Sequence, residues 1–163
     1  MSLATGAIIR QPEIARVIFM PQDSPDKEFR QGPRLNILLV EDDSLVRRHV
    51  SRMLTSLGHD VHSVTDGNAA LRTLSEINTI DLLFTDIVMP GGIDGIALAE
   101  AARKINPDLP VLLTSGYAAM EVLNSRSEIR GAQLLSKPYR FFQLREKLEH
   151  LFGYSGSLPA ASG

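Results

Sequence analysis

Residues 36–43, NILLVEDD, run from Asn36 through the apolar side chains of Ile37, Leu38, Leu39 and Val40 into three successive acids, Glu41, Asp42 and Asp43. A run this short, rich in Leu and β-branched residues, predicts a strand. Behind it Leu45, Val46, Val50, Met53, Leu54 and Leu57 recur at helical spacing until Gly58, so strand is followed by helix. The alternation repeats down the chain. Asp60 to Val64, Asp81 to Thr85, Val111 to Thr114 and Gln133 to Leu135 read as strands. Asn68 to Glu76, Ile96 to Ile105, Ala118 to Leu123 and Phe141 to Phe152 read as helices, the last with Leu144, Leu148 and Leu151 facing inward. Short, almost wholly apolar strands separated by helices imply an α/β fold with a parallel sheet covered on both faces, because parallel strands need crossovers and the crossovers bury them. In such a sheet chemistry gathers at the carboxyl ends of the strands.

Composition narrows the function classes. The 163 residues are 44% apolar and 22% charged, which suits one globular core. With 17 basic against 19 acidic side chains there is no cationic excess to hold nucleic acid or an anionic membrane. The absence of cysteine excludes disulfides and thiolate chemistry and fits the reducing cytoplasm. No apolar run approaches the roughly 20 residues of a membrane helix. Pro12, Pro21, Pro25 and Pro33 punctuate residues 1–34, which read as an extension or linker carrying one short apolar piece, Ile14 to Met20. Met1 to Leu3 resemble a cloning remnant, and residues 153–163 read as a flexible tail. The domain is expected over 35–152.

The first strand delivers Glu41, Asp42 and Asp43, and the third delivers Asp86. A single Asp there serves equally well as a helix or turn cap. Acids from two strand ends are a different matter. Like charges about 4 Å apart repel by roughly 4 kcal/mol at an effective dielectric near 20, so such a cluster calls for a cation or a protonated member. An all-oxygen set suits Mg²⁺, which binds through one or two carboxylates plus a phosphate. Ser115 closes the fourth strand and Lys137 follows the fifth, adding a hydroxyl and an ammonium. Together these groups can move a phosphoryl group, a carboxylate attacking in line while cations neutralise the equatorial oxygens.

These residues resemble the receiver domains of two-component response regulators from about Leu35 to Phe152. NILLVEDD, LLFTDIVMPGGIDG, LPVLLTSGY and LLSKPY stand in that family's order, with spacings of 44 from Asp42 to Asp86 and 51 from Asp86 to Lys137. The resemblance implies a flavodoxin-like, doubly wound (βα)5 sheet of strand order 2-1-3-4-5. It makes Asp86 the phosphoacceptor. Asp42 and Asp86 would ligate Mg²⁺ directly with the backbone carbonyl of Val88, and Glu41 would help through water. Ser115 occupies the family's hydroxyl switch position and Lys137, before Pro138, its lysine position; Asp43 reads as a helix cap. The implied partners are a histidine kinase or histidine phosphotransfer protein as donor, and a downstream protein bound through the last two βα units. Leu134 stands where many receivers carry an aromatic switch, and Tyr117 is the candidate to replace it. The extra glycine of MPGGIDG and the LLTSGY run are similar to receivers attached to hybrid sensor histidine kinases.

Rival readings fall to particular residues. An aspartate-nucleophile phosphohydrolase wants a second Asp two residues past the first, where this chain has Val88. Gly91, Gly92 and Gly95 do not form a nucleotide-binding GxGxxG and read as a flexible turn. A receiver-like binding module that works without phosphorylation is the alternative the intact acid set disfavours. His59 has no dimerisation helix around it, and His49, His62 and His150 read as surface or packed residues, so the phosphodonor is expected from elsewhere. The 11 residues after Phe152 are too few for an effector domain.

Overall fold

The computed structural model describes residues 32–116 and 131–154. The expected helix from Ala118 to Leu123, the candidate switch residue Tyr117, and most of the extension and tail lie outside the described residues. Five parallel strands, β1 (Asn36–Val40), β2 (Asp60–Val64), β3 (Leu82–Asp86), β4 (Val111–Ser115) and β5 (Ala132–Ser136), form one sheet of order β2-β1-β3-β4-β5. Helices α1 (Ser44–Ser56), α2 (Gly67–Glu76), α3 (Gly95–Ile105) and α4 (Phe141–Phe152) complete the described elements. This is the flavodoxin-like topology expected from the sequence.

The period-2 alternation of a strand explains how one apolar run feeds two cores. From β1, Ile37 and Leu39 join Val50, Met53 and Leu54 of α1 and Leu144 and Leu148 of α4 on one face. Leu38 and Val40 join Ala70 and Leu74 of α2 and Leu98, Ala99 and Ala102 of α3 on the other. Central strands β1, β3 and β4 are therefore buried at nearly every position, while the edge strands β2 and β5 are only partly buried. Leu151 packs against the α1 and α4 face as its spacing implies.

Three helices begin in the same way. Asp43 accepts from the backbone N–H groups of Leu45 and Val46, Asp66 from Ala69 and Asp94 from Ala97, satisfying donors that the first turn leaves open. The cap reading of Asp43 is thus borne out. Helix α4 starts differently, the Gln143 side chain accepting from the Arg140 N–H.

Strand limits move by one residue from the sequence reading, and the shift matters. Asp81 is drawn out of β3 because its carboxylate accepts from Asn36 N–H at 2.7 Å. The strand instead ends on Asp86, which pairs with Thr114. Likewise β4 runs through Ser115, which pairs with Ser136. Both groups sit on strand rather than loop, which fixes their backbones. Among the described residues no helix is long and apolar enough to cross a membrane.

Candidate functional site

The carboxyl edge of the sheet brings Glu41, Asp42 and Asp86 together, each with an oxygen within 4.8 Å of the others. Glu41 is buried at the end of β1, where its N–H reaches Val64 O across the sheet. Asp42 is exposed, and Asp86 is half-buried at the end of β3. Burial pushes the Glu41 carboxyl above the usual range, against the opposing pull of Lys137.

Lys137 bridges the cluster. Its Nζ donates to Glu41 Oε2 at 2.7 Å and to Asp86 Oδ2 at 2.6 Å. Burial alone would lower the ammonium pKa, but the hydrogen bonds and charges of Asp86 and Glu41 outweigh it and the net shift is upward. The ammonium is therefore a fixed positive charge between two strand ends. Its backbone N–H donates to Ser115 O at 2.7 Å, tying the fifth strand end to the fourth. The peptide bond from Lys137 to Pro138 is cis.

The remaining predicted residues divide. Ser115 is fully buried and its hydroxyl donates to Gly116 O at 2.9 Å, so in this state it is satisfied locally. Val88 is exposed, and its N–H donates to Asp86 Oδ1 at 3.2 Å, which steadies the carboxylate. An exposed valine there offers no proton to a leaving group. Leu134 lies on β5 opposite Leu113 and packs against the α2 and α3 face, away from the acids' side chains.

Three residues matter that the sequence reading passed over. Tyr139 packs its ring against Phe84 at a centroid distance of 6.4 Å, and burial followed by the charges of Glu41 and Asp86 holds its hydroxyl protonated. Arg47 Nη1 donates to the carbonyls of Glu41 at 2.8 Å and Asp42 at 3.2 Å. Gly95, read as turn, opens α3 directly against the phosphoacceptor candidate: a Cβ there would lie 2.0 Å from Asp86 O. The turn reading does hold at Gly91, whose φ of +81° sits in the left-handed region. A cation in the first turn of α1, where the helix dipole disfavours one, was the available signal for Arg47.

The donor set fits a hard divalent ion. Mg²⁺ takes oxygens at about 2.1 Å in an octahedron, which places neighbouring ligand atoms roughly 3 Å and opposite ones roughly 4 Å apart. Three carboxylates with oxygens within 4.8 Å of one another lie close enough to close on such an ion by small side-chain rotations, and with only two of them touched by Lys137 they retain the negative charge to hold it.

Comparison with known proteins agrees with this geometry. The family model described as response regulator receiver domain matches residues 37–149. The chain is 38% identical over 115 residues to the response regulator receiver protein CpdR of Brucella abortus, covering 71% of this chain and 94% of that one. It is 33% identical over 116 residues to the sensor kinase CckA of the same organism, of whose length it spans 12%. Among solved structures, a response regulator receiver protein from Sinorhizobium medicae WSM419 shares 30% identity at a TM-score of 0.67, covering 74% of this chain and 95% of that one. The receiver domain of the hybrid histidine kinase CckA shares 34% at 0.60, covering 72% and 98%.

Proposed function

Because the chain belongs to the response regulator receiver family of two-component signalling, we propose that Asp86 is its phosphoacceptor and takes a phosphoryl group from a phosphohistidine of a histidine kinase or histidine phosphotransfer protein. The observation that carries the reading is the uneven charge at the sheet edge, with three clustered carboxylates and one ammonium that pairs with two of them. An Asp86 carboxylate oxygen attacks phosphorus, the P–N bond to the donor imidazole breaks, and the imidazole leaves as the acyl phosphate forms. Asp42, Asp86 and the Val88 carbonyl would hold Mg²⁺, with Glu41 acting through water. The bound ion supplies positive charge to the phosphoryl oxygens. Lys137 is placed to move from the Asp86 oxygen to a phosphoryl oxygen, remaining paired with Glu41.

Adding roughly two negative charges at Asp86 changes what its neighbours bond to. The Ser115 hydroxyl can leave Gly116 O for a phosphoryl oxygen, and Lys137 pulls on β4 through its backbone tie to Ser115 and on β5 through the chain. These shifts act on the last two βα units, with Leu134 and Tyr117 as candidates for the output face. The downstream partner is a protein that reads that face. Leu45 and Val88, exposed beside the acids, offer apolar contact to the donor. We take 35–152 as the working unit, acting in the cytoplasm, with 1–34 as linker and 153–163 as tail.

Incubation with acetyl phosphate, followed by intact mass, tests the reading. A single phosphoryl adduct that needs Mg²⁺ and is lost in Asp86→Ala is expected. No adduct on the folded wild type would overturn it and favour the binding module that works without phosphorylation.

A further inference from the structure

Adjacent arginines in the first turns of α1 behave differently. Arg48 Nε donates to Ser44 O, four residues back on its own helix, an ordinary surface contact. Arg47 turns back past the start of the helix, half-buried, and its Nη1 reaches the carbonyls of Glu41 and Asp42. Those two carbonyls have no partner within the helix, whose first backbone acceptor is Asp43 O, bonded by Arg47 N–H at 2.8 Å. The helix dipole opposes a cation at this end, so the carbonyl contacts are what hold the guanidinium there.

We propose that Arg47 is a positioning residue for the metal site, locking the backbone of Glu41 and Asp42 so that their carboxylates face Asp86 against mutual repulsion. The proposal rests on the reading of this edge as an Mg²⁺-dependent phosphoacceptor site. The loop is pinned at three points. Glu41 N–H is held by Val64 O, the Asp43 carboxylate caps α1, and Arg47 fastens the two carbonyls between them. Asp43 N–H also donates to Glu41 Oε1 at 3.4 Å, so a shift of this backbone carries the Glu41 side chain with it. Without the guanidinium, two neighbouring acids are free to rotate apart.

Charge and positioning predict opposite signs, which makes the idea testable. If Arg47 acted only as a nearby positive charge, its removal would favour a cation in the site. If it positions ligands, removal weakens the site, on the order of tenfold as for other groups that orient metal ligands. Calorimetric titration of the unphosphorylated full chain with Mg²⁺ reads this without any phosphoryl transfer, and amide exchange reads the loop. Arg47→Ala is expected to bind Mg²⁺ about tenfold more weakly, with faster exchange at Asp42 and Asp43. Arg47→Lys keeps the charge but loses the planar fork and is expected to fall between, and Arg48→Ala to match wild type. With acetyl phosphate, the Mg²⁺ concentration for half-maximal labelling should rise while the rate at saturating Mg²⁺ changes little.

Tighter or unchanged Mg²⁺ binding by folded Arg47→Ala overturns the proposal. Should that variant fail to fold, Arg47→Lys decides: affinity equal to wild type overturns it. A wild type that labels normally while both variants bind Mg²⁺ as it does sinks only this inference. A wild type that neither binds Mg²⁺ nor labels sinks the phosphoacceptor reading as well.

Discussion

The two edges of the sheet handle polar groups in opposite ways. At the amino edge each group is matched to one partner: Leu35 N–H with His59 Nδ1, Asn36 N–H with Asp81, and Arg34 with Asp60 through two parallel hydrogen bonds. At the carboxyl edge Glu41, Asp42 and Asp86 cluster, and a single ammonium pairs with Glu41 and Asp86 while Asp42 has no ion pair among the described residues. One edge is closed electrostatically and the other left short of positive charge. The same strands build both, so the difference lies in the few residues placed where each strand ends. It teaches that the imbalance is concentrated at the edge proposed to receive a cation and a phosphoryl group and is not spread over the sheet.

Breaking the carboxyl edge outright takes one methyl group. Gly95→Ala places a carbon 2.0 Å from Asp86 O, against backbone that cannot step aside. It should cost at least about 3 kcal/mol and displace Asp86, read by thermal melting and by loss of the phosphoryl adduct. A wild-type melting curve would show that α3 can slide and that the close approach is dispensable.

The uneven charge itself is probed by Lys137→Met. Breaking a buried ion pair costs 3–5 kcal/mol, but this side chain keeps 23% exposure, so a loss of about 2 kcal/mol without metal is expected. Mg²⁺ should restore more stability to the variant than it adds to wild type, while coupling of phosphorylation to amide exchange on β4 and β5 disappears. If Mg²⁺ stabilises both equally, the ammonium and the cation do not share the same charges.

The closed edge gives the smallest effect and a pH signature. Burial pushes His59 below its ordinary 6.5, with only a weaker upward pull from Asp60. The unfolded chain then binds more protons than the folded one as pH drops, so the His59 contribution is complete above pH 6.5 and is lost as pH falls toward the lower folded value. His59→Asn keeps an acceptor for Leu35 N–H and should flatten that part of the stability profile. An unaltered profile would mean the neutral ring is not what closes this edge.

Much of this was legible in the sequence because acids directly after apolar runs mark strand ends, and Asp86, Ser115 and Lys137 stand there. The cap at Asp43 follows from local chemistry too, and those at Asp66 and Asp94, which the sequence reading did not assign, are of the same kind. What escaped depends on three-dimensional contacts that residue type and spacing do not reveal. Asp81 leaves β3 because of Asn36, a partner 45 residues away. Gly95 looks like loop flexibility until Asp86 O is seen beneath it, and Ser115 reads as a ligand-facing hydroxyl although its present partner is Gly116 O. Arg47 left a trace only as a cation at the unfavourable end of a helix.

Gly32 lies so near Tyr154 that a Cβ on it would meet the ring at 2.3 Å. The residues flanking the proposed 35–152 unit on its two sides therefore touch. A unit whose flanks adjoin can be grafted between other segments without prising them apart. The stretch that matches is almost the whole of one relative and a small fraction of another.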